Sequence, residues 1–302
     1  VWYLPEGSDT YRNLNIELLQ NGLSLASGST TDRYGDLTMR AYTQAKQYKL
    51  NVFSGEKDPD YYYGGVIQVD LKTLRTNTAL YEGKDVVFDG VIVRNSNNTV
   101  YVETYDEETD MYYGMAVYYG FGLSGAGLEI LNVGNEVRIV GSVQYYEAGG
   151  TWQVSDVNYR AMKPDDPGNI QKLSEGNAPA YRLTDAETFN KATVTIVGEE
   201  GDQEFPYSQL AMSTSVEMKG LKVVDVYTTK NEESASKGAM TLTCKVGNQY
   251  ISVRTVVLYD ENGNLVTEDA YMGKTIDVKG IVDFFSDSYQ IKVYSTNSIT
   301  VH

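Results

Sequence analysis

Four carboxylates crowd one short stretch of the chain, Asp106, Glu107, Glu108 and Asp110 in DEETDMYYG. Hard cations take carboxylate oxygens, so the cluster raises the question of calcium. The stretch lacks the tight-turn glycine and the closing glutamate of a calcium loop, and it reads better as a solvated hairpin turn. DENGN (260–264) has similar oxygen spacing, but Asn262-Gly263 between alternating runs is a hairpin signal. His302 is the single histidine, which excludes Ser-His and Cys-His catalysis and histidine-based metal sites. Cys244, the single cysteine, rules out an internal disulfide; in the strand-like run TLTCKVG it reads as a small buried apolar residue rather than a reactive thiol. No glycine-rich stretch matches a phosphate-binding motif.

The other chemistry on offer is aromatic. The chain holds 26 tyrosines against 7 phenylalanines, many of them adjacent, as in Tyr61-Tyr62-Tyr63 and Tyr112-Tyr113. Exposed rings on a sheet can stack on bases. Alternation puts Tyr101 and Tyr105 on one face of a strand, and Tyr113 and Tyr119 on one face of the next, while Trp152 opens a later one. These five are the candidate ligand-binding residues, with the plainer alternative that the rings merely cover a sheet. A stacking site for nucleic acid also wants Lys and Arg beside the rings, and here the first of those strands runs into the acidic turn. The formal charge of −16 likewise repels a polyanion, so any single-strand affinity is expected to be weak.

The elements that would position these residues are strands, and they occur twice. NVGNEVRIVGSVQYYE (132–147) reappears as YMGKTIDVKGIVDFFS (271–286), with Gly134/Gly273 and Gly141/Gly280 at matched places. The interval is too long for a solenoid, so a whole domain is duplicated. LKTLRTNTALYEGKDVVFDGVIV (71–93) aligns with YSQLAMSTSVEMKGLKVVDVYTT (207–229) as the start of each copy. Strands are expected at 84–95, 99–107, 112–120, 136–147 and 151–162, separated by turn signals, with a short helical piece before the fourth. That is the layout of an OB-fold, a five-stranded Greek-key barrel. The fold class is therefore mainly β with an N-terminal helical pair, and the domains are helices over 1–56, barrels over 65–163 and 183–302, and a Pro/Gly/Asp-rich linker over 164–182. Matched residues should face matched environments, Val137, Ile139 and Val143 with Ile276, Val278 and Val282.

Before the barrels, YRNLNIELLQNGLSLA (11–26) spaces Leu14, Leu18 and Leu25 as a helical stripe, with Asp9 or Thr10 to cap it and Gly22 to end it. A second helix from Asp36 to Lys49 carries Leu37, Ala41, Ala45 and Tyr48. The order NIELLQNGLSLA, loop, AYTQAKQYKLNVFSGE resembles the two C-terminal helices of the staphylococcal-nuclease-like (thermonuclease) family. Gln44-Ala45-Lys46, Lys49-Leu50-Asn51, Phe53 and Ser54 are its most specific part. The resemblance covers residues 1–56 and implies a parent family of calcium-dependent phosphodiesterases. Their metal-holding carboxylates, catalytic glutamate and two arginines sit on a barrel that precedes these helices, so none carries over, and the second arginine aligns just before Val1. The nucleotide-stacking tyrosines of the family fall on Gly28 and Thr30. No catalytic residue, metal ligand or cofactor is thus expected in these 302 residues, calcium belonging to the family's absent barrel.

The chain opens at Val1 in a strand-like run, which suggests a piece of a longer precursor. The Tyr-, Asn- and Ser-rich, cysteine-poor composition suggests a secreted or cell-surface bacterial protein, without a membrane span. Two functions follow. One is the C-terminal portion of a thermonuclease-like protein with two accessory OB-like modules; the other is a non-catalytic surface protein that recognises glycan or protein through tyrosine-rich barrels.

Overall fold

The structure is a computed structural model that describes residues 1–26, 33–54, 66–96, 98–120, 128–157, 170–198 and 201–302. The chain divides into two units, Val1–Tyr62 and Tyr63–His302. Among the described residues no helix is long and apolar enough to cross a membrane.

In the first unit, β1 (Trp2–Tyr3) pairs with β2 (Arg12–Asn13), and helices follow at Leu14–Gln20 and Gly35–Gln47. The first helix starts later than its apolar spacing suggested, because Asn13 rather than Asp9 or Thr10 caps it, accepting from the N–H groups of Asn15 and Ile16. Gly22 ends it at φ 66°, with Leu23 N–H donating back to Leu18. The buried apolar residues are Leu19, Ala41 and Ala45, so the small face of the second helix is covered while Leu14, Leu25, Leu37 and Tyr48 stay exposed.

The second unit contains two barrels of one topology. In the first, β4 (Asp85–Asn95), β5 (Thr99–Asp106), β6 (Met111–Tyr118), β8 (Thr151–Ser155) and β7 (Glu136–Tyr146) are neighbours in that order, and β4 pairs with β7 to close the circle. In the second, β13 (Ser215–Thr228), β14 (Met240–Val246), β15 (Gln249–Thr255), β17 (Ser288–Val293) and β16 (Thr275–Phe285) repeat the order, closed by β13 and β16. The third and fifth strands are parallel in both, through Val117↔Val154 and Val253↔Ile291. A 3-10 turn precedes each fourth strand, Leu128–Leu131 and Glu268–Ala270. These are tandem OB-type barrels on a mainly β chain.

The fourth strands match residue for residue. Val137, Ile139 and Val143 are fully buried, as are Ile276, Val278 and Val282. Gly141 faces Val86 and Gly280 faces Val216. A Cβ on either glycine would lie 2.6 Å from a carbonyl oxygen of the fifth strand, Ser155 or Lys292, so both must lack a side chain where the barrel bends.

The same pairing corrects the alignment of the starts. Val216 is the counterpart of Val86, not of Leu80, so the sequence match of 71–93 with 207–229 is slipped by six residues. Two features hide the true register: Gly220 lies in a bulge inside β13, between Met218 and Leu221, rather than in the turn before it, and the hairpin β11 (Thr193–Ile196) and β12 (Gln203–Pro206) is inserted ahead of the helix Tyr207–Leu210. The true counterpart of the helix Leu71–Thr76 is Ala186–Lys191. Asp70 caps the former by accepting from Thr73 N and Oγ1, and Asp185 caps the latter by accepting from Thr188 N and Oγ1.

The linker is also more folded than its composition indicated. Gln171–Ser174 forms β9, antiparallel to β7, as Ile299–Val301 (β18) lies along β16. Arg182–Leu183 forms β10, parallel to β13, as Ile67–Gln68 (β3) lies along β4. Asn177 donates to Gly134 from both its N–H and its amide. The fifth strand of the first barrel ends at Ser155, just before Asp156 at φ 56°; the rest of its expected span, 158–162, lies outside the described residues. The buried apolar residues of both barrels join into one continuous core.

Candidate nucleic-acid interface

Strand alternation sends Val100 and Val102 into the first barrel and leaves Tyr101, Glu103 and Tyr105 on its outer face. The second barrel covers most of that face. Tyr101 is buried with Val93 and Ile281, and its hydroxyl accepts from Tyr294 at 3.0 Å. Burial holds both phenols above the ordinary tyrosine range. Glu103 is buried and accepts from Ala180 N, Ser215 N and Ser215 Oγ at 3.0, 2.7 and 2.9 Å. Beside it Gly114 lets the chain of the second barrel approach so closely that a Cβ would lie 2.6 Å from the Ser213 carbonyl carbon. Beneath Gly114, the buried Arg75 donates to its carbonyl oxygen from Nε at 3.0 Å and from Nη2, and desolvation lowers that guanidinium to about 10.

This placement removes most of the tyrosines expected to bind ligand. Tyr113 points into the first core with its hydroxyl against Thr109, and Tyr119 is buried with its hydroxyl donating to Asn95 at 2.6 Å. Tyr101 lies in the seam, and Trp152 packs partly buried against the core. Tyr101, Tyr113 and Tyr119, so enclosed, have no free face for a base, whereas Trp152 keeps part of its surface open at the hairpin of the fourth and fifth strands. Tyr105 alone of the five is exposed, leaning on Tyr112 at 5.1 Å between ring centres and donating to Asp110. Three of the four carboxylates of the acidic turn have protein partners: Lys72 pairs with Asp106 and Glu108, Thr109 donates to Asp106, and Arg182 pairs with Asp110 at 2.7 Å.

The second barrel keeps its corresponding face open. By strand register Lys245 and Tyr250 stand where Glu103 and Gly114 stand in the first barrel, cross-strand partners in each case. Tyr250 is exposed, and the Lys245 ammonium sits 5.7 Å from its ring centre. One row of outward residues then runs across four strands, Tyr227↔Thr241↔Arg254↔Lys292. Arg254 is half-buried, donates to the hydroxyls of Thr241 and Thr229 at 3.0 Å each, and has no carboxylate within pairing distance among the described residues. Desolvation lowers its pKa, yet it remains a cation at neutral pH. Lys292, its neighbour on β17, reaches Asp283 only at 3.8 Å. The row continues to Ile281 and Ser215, under the first barrel. At that edge Arg94 of the first barrel lies over Tyr294 at 4.5 Å, Lys292 flanks the same ring at 5.7 Å, and Arg94 Nε is buried without a hydrogen-bond partner.

Arg94, Lys292, Arg254 and Lys245, interleaved with Tyr294, Tyr227 and Tyr250, supply the companion cations that a linear reading did not find. They are scattered in sequence from Arg94 to Lys292 and meet only through the barrel's register. The available signal was the alternation TLTCK and YISVR, which puts Thr241, Thr243 and Lys245 beside Arg254, Ser252 and Tyr250 on the outer face.

No family model matches the chain, and no curated protein matches it. Solved structures with some likeness include a murine DNA-binding protein bound to double-stranded DNA, with 9% identity and a TM-score of 0.32 over 72% of this chain and 97% of that one. Another is the Ifi202 HINa domain in complex with a 20-base-pair duplex, with 9% identity and a TM-score of 0.28 over 73% and 96%. A third is the tetrameric p202 HIN2, with 8% identity and a TM-score of 0.27 over 71% and 91%. At these scores the likeness decides nothing about the ligand of this chain.

Proposed function

We propose that the two barrels form one rigid module that binds single-stranded nucleic acid weakly, through the open outer face of the second barrel. One observation carries this: Arg254 and Lys292 stand side by side on neighbouring strands, Arg254 without a carboxylate partner, in a chain of net charge −16. Like charges facing each other across strands destabilise a sheet, and an anion placed between them reverses that sign. Tyr227 and Tyr250 on the same face offer rings for bases. The overall charge sets the affinity low, near the roughly 10⁻⁴–10⁻⁶ M of nonspecific contacts at physiological salt. The motif over residues 1–56 supports a further reading of the chain as the accessory portion of a secreted, bacterial thermonuclease-like protein whose catalytic groups are not among these residues.

Fluorescence anisotropy with labelled single strands at 50 and 150 mM salt tests the binding face. Arg254→Ala should weaken binding uniformly across sequences and lower the salt slope by about 1. Tyr250→Ala should weaken single strands more than duplex. Unchanged affinity in both variants would remove the face from consideration. The isolated chain should release no acid-soluble nucleotide from DNA or RNA with calcium present, above a heat-killed control.

A further inference from the structure

The fourth and fifth strands of each barrel run into a hairpin that ends in an aromatic pair. Tyr145 faces Trp152 across the first hairpin, and Phe284 faces Tyr289 across the second. The two pairs are nearly superimposable in geometry, with ring centres 5.0 Å apart in both and interplanar angles of 60° and 59°. The next residue outward is also aromatic in both copies, Tyr146 and Phe285, and both are exposed, as is Tyr145. Tyr146 folds over Gly149, where a Cβ would lie 2.6 Å from its ring. Ser286 and Asp287, at φ 49° and 61°, make the tight turn of the second hairpin.

The hairpins also meet. A Cβ on Gly150, in the turn of the first, would lie 3.5 Å from the Phe284 ring and 3.9 Å from the Tyr145 hydroxyl, so the two tips form one patch to which both barrels contribute. The charges on them have one sign. Residues 144–152 (QYYEAGGTW) and 284–290 (FFSDSYQ) contain Glu147 and Asp287 and no Lys or Arg.

We infer that this paired patch is a binding site for an uncharged polysaccharide. The duplication presents the same aromatic unit twice, which matches a ligand that repeats a ring. The rings offer apolar faces to the C–H side of a pyranose, while the tyrosine hydroxyls and the two carboxylates face ligand hydroxyls. Two carboxylates without a cation disfavour a phosphate or uronate chain, which separates this site from the cationic face around Arg254.

Trp152 reports on the site directly, since the only other tryptophan is Trp2. In a Trp2→Phe background, titration with β-1,4-glucan, β-1,4-mannan and chitin hexamers should give a saturable change in Trp152 emission with at least one of them. A hexauronate and hexalysine should give none. Tyr145→Ala and Phe285→Ala, on different hairpins, should each weaken binding about tenfold, with melting temperature unchanged. Tyr145→Phe keeps the ring and should retain most of the affinity, and Arg254→Ala should leave it untouched. The inference is overturned by failure of all three neutral hexamers, by preference for the uronate or for hexalysine, or by a Phe285→Ala variant that binds as the parent does.

Discussion

Glu103 and Ser215 belong to different barrels, and the carboxylate of the first accepts both the backbone N–H and the hydroxyl of the second. Around them Tyr101 meets Tyr294 and Gly114 meets Ser213. An OB-type face that elsewhere takes a ligand is here closed by the neighbouring copy, so the tandem behaves as one body.

Removing the acceptor therefore costs more than one contact. Glu103→Ala strands the N–H groups of Ser215 and Ala180 in the seam, and each buried unpaired donor costs about 1–3 kcal/mol. The expected total of about 2–6 kcal/mol corresponds to a fall in melting temperature of roughly 5–25 °C. Calorimetry checks it, and a loss below about 1 kcal/mol would show that water replaces the carboxylate at no cost.

Glu103 also gives stability a pH dependence of definite sign. Burial raises its pKa above the ordinary glutamate value, against the three donors that lower it. The folded state then holds the proton more tightly than the unfolded one. Its contribution is complete below the unfolded value of about 4.3 and is lost as pH rises through the raised folded value. Melting curves from pH 4 to 8 should show the wild type losing stability relative to Glu103→Gln over that window. Parallel curves would contradict the assignment.

Gly114 makes a sharper test of the seam. Gly114→Ala places a methyl 2.6 Å from the backbone of the fully buried Ser213, and should cost about 1–3 kcal/mol. Tyr250→Gly, at the matching site on the open face, should cost only the roughly 0.5–1 kcal/mol of a glycine in a strand. Equal losses in urea titrations would mean that the two faces are not covered differently.

How much of this could be read in the residues depends on what each feature rests on. Alternation in EVRIVGSV and TIDVKGIV depends on neighbours two apart, so the faces of the fourth strands, the bend glycines and the duplication were legible. The starts of the copies were not, because the bulge at Gly220 and the inserted hairpin 193–206 imitate a turn-and-strand pattern six residues out of register. Alternation also shows which face Tyr101 is on without showing that Ile281 and Tyr294 cover it. The row Tyr227, Thr241, Arg254, Lys292 exists only once four strands are in register, and composition alone pointed the other way.

Cys244 supplies a probe of unfolding. It is buried in the second core, and desolvation pushes its thiol up to about 12. The thiolate is the reactive species, so at pH 8 a thiol reagent should label the native chain negligibly and the urea-unfolded chain fully. Labelling in partial denaturant should follow the same single transition as far-UV circular dichroism, because both barrels share one core. Early labelling would show the second barrel opening alone.

The duplicated helix caps allow a final comparison. Asp70 and Asp185 each accept from the backbone N–H and hydroxyl of the threonine three residues on, Thr73 and Thr188, so Asp70→Ala and Asp185→Ala should each cost about 1 kcal/mol. Asp185 carries a pH signature opposite to that of Glu103. The Thr188 N–H holds its carboxyl below the ordinary aspartate value, helped by the Thr188 hydroxyl and the Glu187 N–H. Its contribution is present above the unfolded value of about 3.9 and is lost as pH falls through the lowered folded value. The stability difference between wild type and Asp185→Asn should thus shrink as pH falls below about 4, whereas that for Glu103→Gln changes as pH rises above about 4.3. A cap whose advantage persists undiminished at pH 2 would show that the side chain holds the helix without its charge.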